Sequence, residues 1–388
     1  MRGPTRTDFK NAHGAEPALN EIIRETERTQ FKRCRRAWDF SSRSRQNLEP
    51  VAPDRPCDLD RAIHDALALW YFPGMWEWPR AIVLPLTMQG YQKAMIRQRD
   101  RFASASALSP EDEASWQAAF ERGERLLRRY FEWAPSQDAF SPVRVEADFD
   151  ANVPDPGTAG LDLVGPRGPI HYQGRIDALV VDAFDAYWIM DHRVVEGAWE
   201  DADQLLLDER GIAAGWAWEI FYYGMKIAGT IYNELRLDPE GGAPAGPGPA
   251  AGGEVGTGAP TLITGRRRMY LEAAHVPEDR MQVTGGESFR RTRITRRRAE
   301  LDACGFQVAA EALEMTGTDL SLYPNPTEEH CASCAFRQPC LALNCGLDPS
   351  AMLAAGYRDR GPEEVEEGRL GGVTWSMNRG ARPPKFGG

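Results

Sequence analysis

The spacing of apolar and polar positions divides the chain into a helical first third and a strand-rich middle. In DLDRAIHDALALWYF (58–72), Leu59, Ile63, Leu67 and Trp70 recur at helical spacing. Asp58 or Asp60 is placed to cap that helix. Residues 21–45 read as a basic helix, and residues 110–133 as a long amphipathic one opened by Ser109, Pro110 and Glu111. The period then changes. VRVEADFDANV (143–153) alternates as a strand does. IHYQGRIDALVVD (170–182) and YWIMDHRVV (187–195) are β-rich and close enough to pair as a hairpin. Residues 202–225 return to a helical pattern, 227–237 to a strand, and about 295–315 to a helix. The order strand–strand–strand–helix–strand predicts an α/β fold, a core sheet flanked by helices with an N-terminal helical part.

Composition adds boundaries and a compartment. Residues 238–260 are almost wholly Gly, Pro and Ala and predict a flexible insertion rather than a domain boundary. The polar residues 1–20 predict a flexible N-terminus, residues 21–345 one domain, and residues 346–388 a C-terminal tail. With 42% hydrophobic residues and 11 Trp the chain can bury a real core. No apolar run approaches the roughly 20 residues of a membrane helix, so no membrane partner is expected. The opening residues lack the apolar stretch of a secretory signal, which predicts a cytoplasmic protein. Thiols stay reduced there, so clustered cysteines read as metal ligands or redox groups.

The net charge of −11 argues at first against a nucleic-acid partner. Its distribution argues the other way. Residues 24–45 carry eight Lys/Arg against three acids, and residues 266–300 carry ten Arg against five acids. A surface basic in patches suits a protein that grips an anion in one place. Taken singly, each cluster reads more readily as an ordinary solvated face. Lys32, Arg33, Arg35 and Arg36, and Arg296, Arg297 and Arg298, are the candidate phosphate contacts, binding DNA without reading its sequence.

The hairpin carries the candidate chemistry. GRID places Asp177 on one strand, and IMD places Asp191 on the next. Neighbouring strands lie about 5 Å apart, so the two carboxylates can meet. Paired oxygens of this kind bind Mg²⁺ or Mn²⁺. Arg193 lies two residues beyond Asp191 and therefore on the same strand face. Gln204 and Glu209 on the following helix are polar groups able to hold a water or a phosphate, and His64 is an upstream imidazole. Glu146, on the preceding strand, is either a further metal-proximal acid or an ordinary strand residue. Near the C-terminus, HCASCAFRQPC (330–340) sets Cys331, Cys334 and Cys340 at a spacing suited to thiolate ligation. Structural zinc and an iron–sulfur cluster both fit it.

Together these motifs resemble the PD-(D/E)XK nuclease superfamily, specifically its RecB-like branch with an iron–sulfur cluster. QFKRCRRAWDF resembles the family's opening F-x-x-C-P-R-R, and DLDRAIHDAL keeps the histidine of its G-x-x-x-H helix without the glycine. G-R-I-D and C-x2-C-x5-C are matched in full, and D-x-K is met as Asp191-His192-Arg193. The resemblance implies a restriction-endonuclease-like core with the cysteine cluster packed against its N-terminal part. It implies a metal held by His64, Asp177, Asp191 and the main-chain carbonyl of His192. It makes Cys34 the fourth ligand of a [4Fe–4S] cluster with Cys331, Cys334 and Cys340. Gln204 stands near the family's Q-x3-Y, with Arg210 an alternative for the Gln position. The implied activity is exonuclease-like cleavage of DNA ends or single strands, with a helicase or recombination partner. Arginine keeps the charge of the family lysine but is a poor proton carrier. A catalytically weakened DNA-end-binding or assembly protein is therefore the alternative.

Overall fold

A computed structural model gives the fold of residues 20–53, 55–199, 201–237 and 280–361. The Gly/Pro/Ala stretch at 238–260, nearly all of the predicted loose N-terminus and most of the predicted tail lie outside these residues. The strands are β1 (Glu21–Arg24), β2 (Leu48–Pro50), β3 (Phe140–Asn152), β4 (Ile170–Asp182), β5 (Tyr187–Glu196), β6 (Ile227–Leu237), β7 (Met281–Gly285), β8 (Phe289–Thr295) and β9 (Tyr357–Asp359). The helices are α1 (Glu25–Arg33), α2 (Arg35–Ser41), α3 (Leu59–Trp70), α4 (Arg80–Ala105), α5 (Pro110–Trp133), α6 (Ala202–Leu206), α7 (Glu209–Phe221), α8 (Arg298–Thr316), α9 (Glu328–Ala332), α10 (Arg337–Asn344) and α11 (Ser350–Gly356).

The chain is α/β, with a mixed sheet flanked by helices, as its patterning predicts. β1, β4, β5, β6, β8 and β7 hydrogen-bond in that order, and β3 pairs with β4 along almost its whole length. β1 pairs with residues 170–173 of β4 and β5 with residues 178–181, so these two strands share the edge that β3 leaves. Between them lie Gly174, Arg175, Ile176 and Asp177, where that edge changes partner.

One face of the sheet meets α3, α4 and α5 through Ile63, Leu67, Trp70, Tyr91, Leu127, Ala178, Val180, Met190 and Ile231. The other face meets α7 and α8 through Tyr172, Ile176, Leu179, Ile189, Trp216, Trp218, Leu301 and Val308. Burying each large apolar side chain contributes about 1.5–3 kcal/mol. Along β4 the facing changes at Asp177. Ile170, Tyr172 and Ile176 pack on the second face, whereas Ala178 and Val180 pack on the first. Directly opposite, Glu146 adopts φ 45°, a left-handed conformation uncommon for a side chain of this size. Such irregularities redirect side chains, and here the redirected one is Asp177.

Several elements depart from the patterning. The basic helix expected at 21–45 is a strand and two helices. Glu21–Arg24 alternates in burial and takes up an edge of β4, and the extended backbone of Cys34 separates α1 from α2. The helix expected at 202–225 breaks at Leu207, because the Asp208 carboxylate accepts from Gly211 N at 3.0 Å and starts α7 afresh. α4 is not foreseen by the patterning: Ile82, Leu86 and Ile96 point outward while Thr87 and Ala94 are buried, which blurs its period. The segment 290–298 is mostly interior. β8 runs between β6 and β7, with Arg290 bonded to Glu234 and Arg291 to Asp138. Part of the predicted tail is ordered too, since β9 pairs with β2.

Candidate active site

The acid centre forms where β4 and β5 part. Their ladder ends at Ala178 and Met190, one residue short of both aspartates. The His192 N–H just beyond the ladder is taken by the Asp177 carboxylate, which accepts it at 2.7 Å. β5 continues alongside β6 through Asp191, His192 and Arg193. One aspartate thus does backbone duty at the fork while the other stands on the strand that leaves it.

α3 delivers His64 from the opposite side. Its apolar stripe is buried and Asp58 caps it, so its position is set by the core. His64 Nδ1 lies 2.9 Å from the Asp60 carbonyl, and Nε2 lies 3.0 Å from the His192 carbonyl and 3.5 Å from Asp177 Oδ2. The predicted trio of His64, Asp177 and Asp191 is therefore brought to one place, with the His192 carbonyl beside it.

Burial and pairing set the charges between them. It opposes protonation of His64, but the hydrogen bond and charge of Asp177 outweigh it and hold the imidazole up at about 10. Burial likewise opposes ionisation of Asp177, and His64 outweighs it in turn, holding that carboxyl below the usual range. Asp191 goes the other way: burial, reinforced by the Asp177 charge, pushes it up. His192 is pushed down to about 3 by burial and stays neutral. Its ring is fixed by Asn233, 2.9 Å from Nδ1, within a buried group that includes Tyr71, Tyr130 and Arg291.

Two arginines attend Asp191. Arg193 Nε donates to Asp191 Oδ2 at 2.6 Å, and Nη2 lies 2.9 Å from Asp208 Oδ2. Its guanidinium covers the Tyr232 ring at 4.6 Å. Arg210, on the first turn of α7, bonds Glu25 Oε1 at 2.7 Å and lies 3.8 Å from Asp191 Oδ1. Gln204, expected in the helix role, lies exposed on α6, and Asp208 and Arg210 make these contacts instead. Glu209 turns to Arg28 and Lys32. Glu25 and Asp208 were not anticipated. For Asp208 the available signal is that Asp is a strong helix N-cap, which a continuous helical pattern over 202–225 masks.

Among the described residues no three His, Cys, Asp or Glu side chains already form a metal-holding group. The donor chemistry at the fork nonetheless fits a hard divalent cation: two carboxylates, an imidazole and a carbonyl. Arg193 and the His64 proton now neutralise these groups, and a bound cation would replace that proton.

The cysteines lie near one another at the other end of α1, although among the described residues no three of them form a metal-holding group. Arg33 Nη2 reaches Ser333 Oγ at 3.4 Å, and Arg36 Nη1 lies 3.7 Å from Cys340 Sγ. These contacts bring the α1–α2 junction at Cys34 against α9 and α10. Burial raises the Cys334 thiol, and the charges of Cys34, Cys340 and Cys331 raise it further, so all four share one corner. All are free thiols. Cys345 is exposed, and Cys304 is buried as a packing residue.

Most of the candidate phosphate contacts are already engaged by other groups of the protein. Lys32 pairs with Glu209, and Arg35 pairs with Glu314 and lies over Phe31. Arg298 pairs with Glu219 and Asp302. Arg296 is turned inward, donating to the Leu205 and Leu206 carbonyls and to Tyr232 Oη, each at 2.7 Å. Its burial corrects the expectation that it faces DNA. Lys32, Arg33, Arg297 and Arg298 are nonetheless exposed.

Comparison with known proteins places this geometry. No curated protein matches the chain. Twelve chains of solved structures match. One, titled "Crystal structure of SSO0001", is 8% identical and aligns over 72% of this chain and 84% of its own, with a TM-score of 0.28, a likeness too loose to carry an argument. No helix among the described residues is long and apolar enough to cross a membrane. The sequence itself matches a family over residues 26–341, which contain the fork, His64 and all four clustered cysteines, and on that match the chain belongs to the PD-(D/E)XK nuclease superfamily.

Proposed function

We propose that the chain is a divalent-metal-dependent deoxyribonuclease of the RecB-like type, acting as an exonuclease on DNA ends or single strands without sequence preference. The observation that carries this reading is the fork. Asp177 and Asp191 are buried together at the point where two strands part, with His64 and the His192 carbonyl within hydrogen-bonding reach of one another. His64, Asp177, Asp191 and the His192 carbonyl would hold Mg²⁺ or Mn²⁺. The ion would neutralise phosphate charge and make a bound water more acidic. Hydrolysis joins the water oxygen to phosphorus and breaks one ester P–O bond. The water's proton passes to the leaving alkoxide, giving a hydroxyl and a phosphate monoester. The protein residues orient and neutralise: Asp177 fixes the fork, and Arg193 holds Asp191 against the start of α7.

Cys34, Cys331, Cys334 and Cys340 would carry a [4Fe–4S] cluster, tying the two ends of the domain together. A cytoplasmic helicase or recombination complex would supply unwound DNA. A second reading, a weakened enzyme that binds ends or assembles a complex, is favoured by one observation: Arg193 is already engaged by two carboxylates. Purified chain with Mn²⁺ should shorten single- or double-stranded ends, and Asp191→Ala should not. DNA binding without cleavage in the unsubstituted chain would select the second reading. Anaerobic protein should absorb near about 400 nm, as iron–thiolate clusters do. Colourless protein holding one zinc ion would assign the corner to zinc instead.

A further inference from the structure

We propose that Arg210, aimed by Glu25, is the catalytic cation that meets the scissile phosphate, standing where a second metal ion would otherwise be needed. The inference rests on the nuclease reading above and deepens it.

The two arginines beside Asp191 are held differently. Arg193 is committed at both ends, to Asp191 and to Asp208, and its flat face is covered by Tyr232. Tyr232 Oη in turn donates to Asp208 at 2.8 Å, which closes the group. Reaching a phosphate would cost Arg193 a charge-assisted hydrogen bond to Asp191 and an ion pair with Asp208. Arg210 has one short anchor, Glu25, and its distance of 3.8 Å to Asp191 is longer than a hydrogen bond. Its side chain is 51% exposed, against 26% for Arg193. It lines a small pocket of about 10 Å³ between β4, β5 and α7 together with Arg175, Asp177, Asp191 and Gly211. Its Nε is therefore held by Glu25 while Nη1 is turned toward Asp191 without a hydrogen bond, which leaves part of a planar fork for a phosphate to engage.

Glu25 explains why a fixed cation belongs there. It is buried at the start of α1, where β1 ends and the β4 edge is changing partner. It therefore adds a third carboxylate to Asp177 and Asp191. Buried like charges in such numbers require compensation. Paired metal ions usually supply it at phosphoryl-transfer sites, clamping the attacking and leaving oxygens. Here Arg210 lies between Glu25 and Asp191, so a single ion on the Asp177 side suffices.

Calorimetric titration with Mn²⁺ in the absence of DNA tests the placement directly. The unsubstituted chain should take up one ion at the fork. Arg210→Ala should take up two, because Glu25 and Asp191 are freed to hold the second. The double variant Glu25→Gln/Arg210→Ala should return to one. In cleavage assays Arg210→Ala should lower kcat about 100-fold while KM for DNA changes by less than about threefold. Arg210→Lys, which keeps the charge but not the planar fork, should recover only part of that loss. An Arg210→Ala chain that binds no additional Mn²⁺ and cleaves at the unsubstituted rate overturns the proposal. If the unsubstituted chain cleaves nothing, the nuclease reading fails, and the ion count alone decides whether Arg210 holds the second cation's place.

Discussion

The fork and the cysteine corner lie at opposite ends of α1, and they are stabilised in opposite ways. At the fork, the sheet and two apolar clusters fix every charged group, and the protein's own cations answer its carboxylates. His64 answers Asp177, Arg193 answers Asp191, and Arg210 answers Glu25. In the corner there is little to fix anything. α9 has five residues and α10 eight, too short to be stable alone, and they bury little beyond Phe336 and Pro339. Phe336 stacks between Phe40 and Tyr357, a small apolar seam joining chain segments about 300 residues apart. The charged groups of the acid centre thus answer one another directly, whereas little besides the Phe336 seam holds the thiols of the corner together.

The sharpest way to break that comparison is at Asp177. Asp177→Asn keeps an acceptor for the His192 N–H but removes the charge. Cleavage should fall by at least about 1,000-fold, as expected for loss of a central electrostatic group, while thermal unfolding shifts little. A large drop in unfolding temperature would mean that the fork is held by charge rather than by the sheet.

Cys34→Ala probes the other region. Closing a loop of this length is entropically costly, and a cross-link across it typically stabilises by about 2–4 kcal/mol. The variant should lose that much in denaturant unfolding, together with its absorption, while the cleavage rate per folded chain falls less than in Asp177→Asn. Unchanged stability in Cys34→Ala would show that the corner is no staple.

The two regions were also unequally legible in the sequence. Helix α3 and strands β4, β5 and β6 follow from patterning because each buries one consistent face. That regularity brings Asp177 and Asp191 onto one hairpin, and His64 joins them through the resemblance to the nuclease family. Glu25 and Asp208 escaped because each ends one element and begins another, and periodicity is weakest at such joints. The basic run at 290–298 misled for a different reason. Charge is ordinarily a surface property, but Arg290, Arg291 and Arg296 are buried beside Glu234, Asp138 and the carbonyls of α6. A sequence gives no sign that an arginine has an interior partner more than 50 residues away.

A smaller effect should follow at Arg193. Lysine there can keep one of the two carboxylate contacts, at Asp191 or at Asp208. Arg193→Lys should change the cleavage rate by less than about tenfold in either direction, because the bidentate geometry is lost but the charge is kept. A gain of about 100-fold or more would mean that general acid–base assistance, which arginine supplies poorly, had been limiting the native site.

The smallest effect concerns DNA, and it separates charge at the surface from charge in the core. Arg297 is exposed at the start of α8, and Arg296, its neighbour, is buried against α6. A sequence-blind contact to one phosphate releases about one counterion, so Arg297→Ala should flatten the salt dependence of binding by about one unit in log–log slope. The loss should be similar on unrelated sequences, because phosphate contacts carry no base information. Arg296→Ala should instead lower folding stability, since it leaves two carbonyls of α6 and the Tyr232 hydroxyl without their donor. Filter binding across a salt series, beside thermal unfolding of the same two variants, distinguishes them. If Arg296→Ala alters only the salt slope and Arg297→Ala only the stability, the inward and outward assignments of this basic run are reversed, and the DNA path runs over β8.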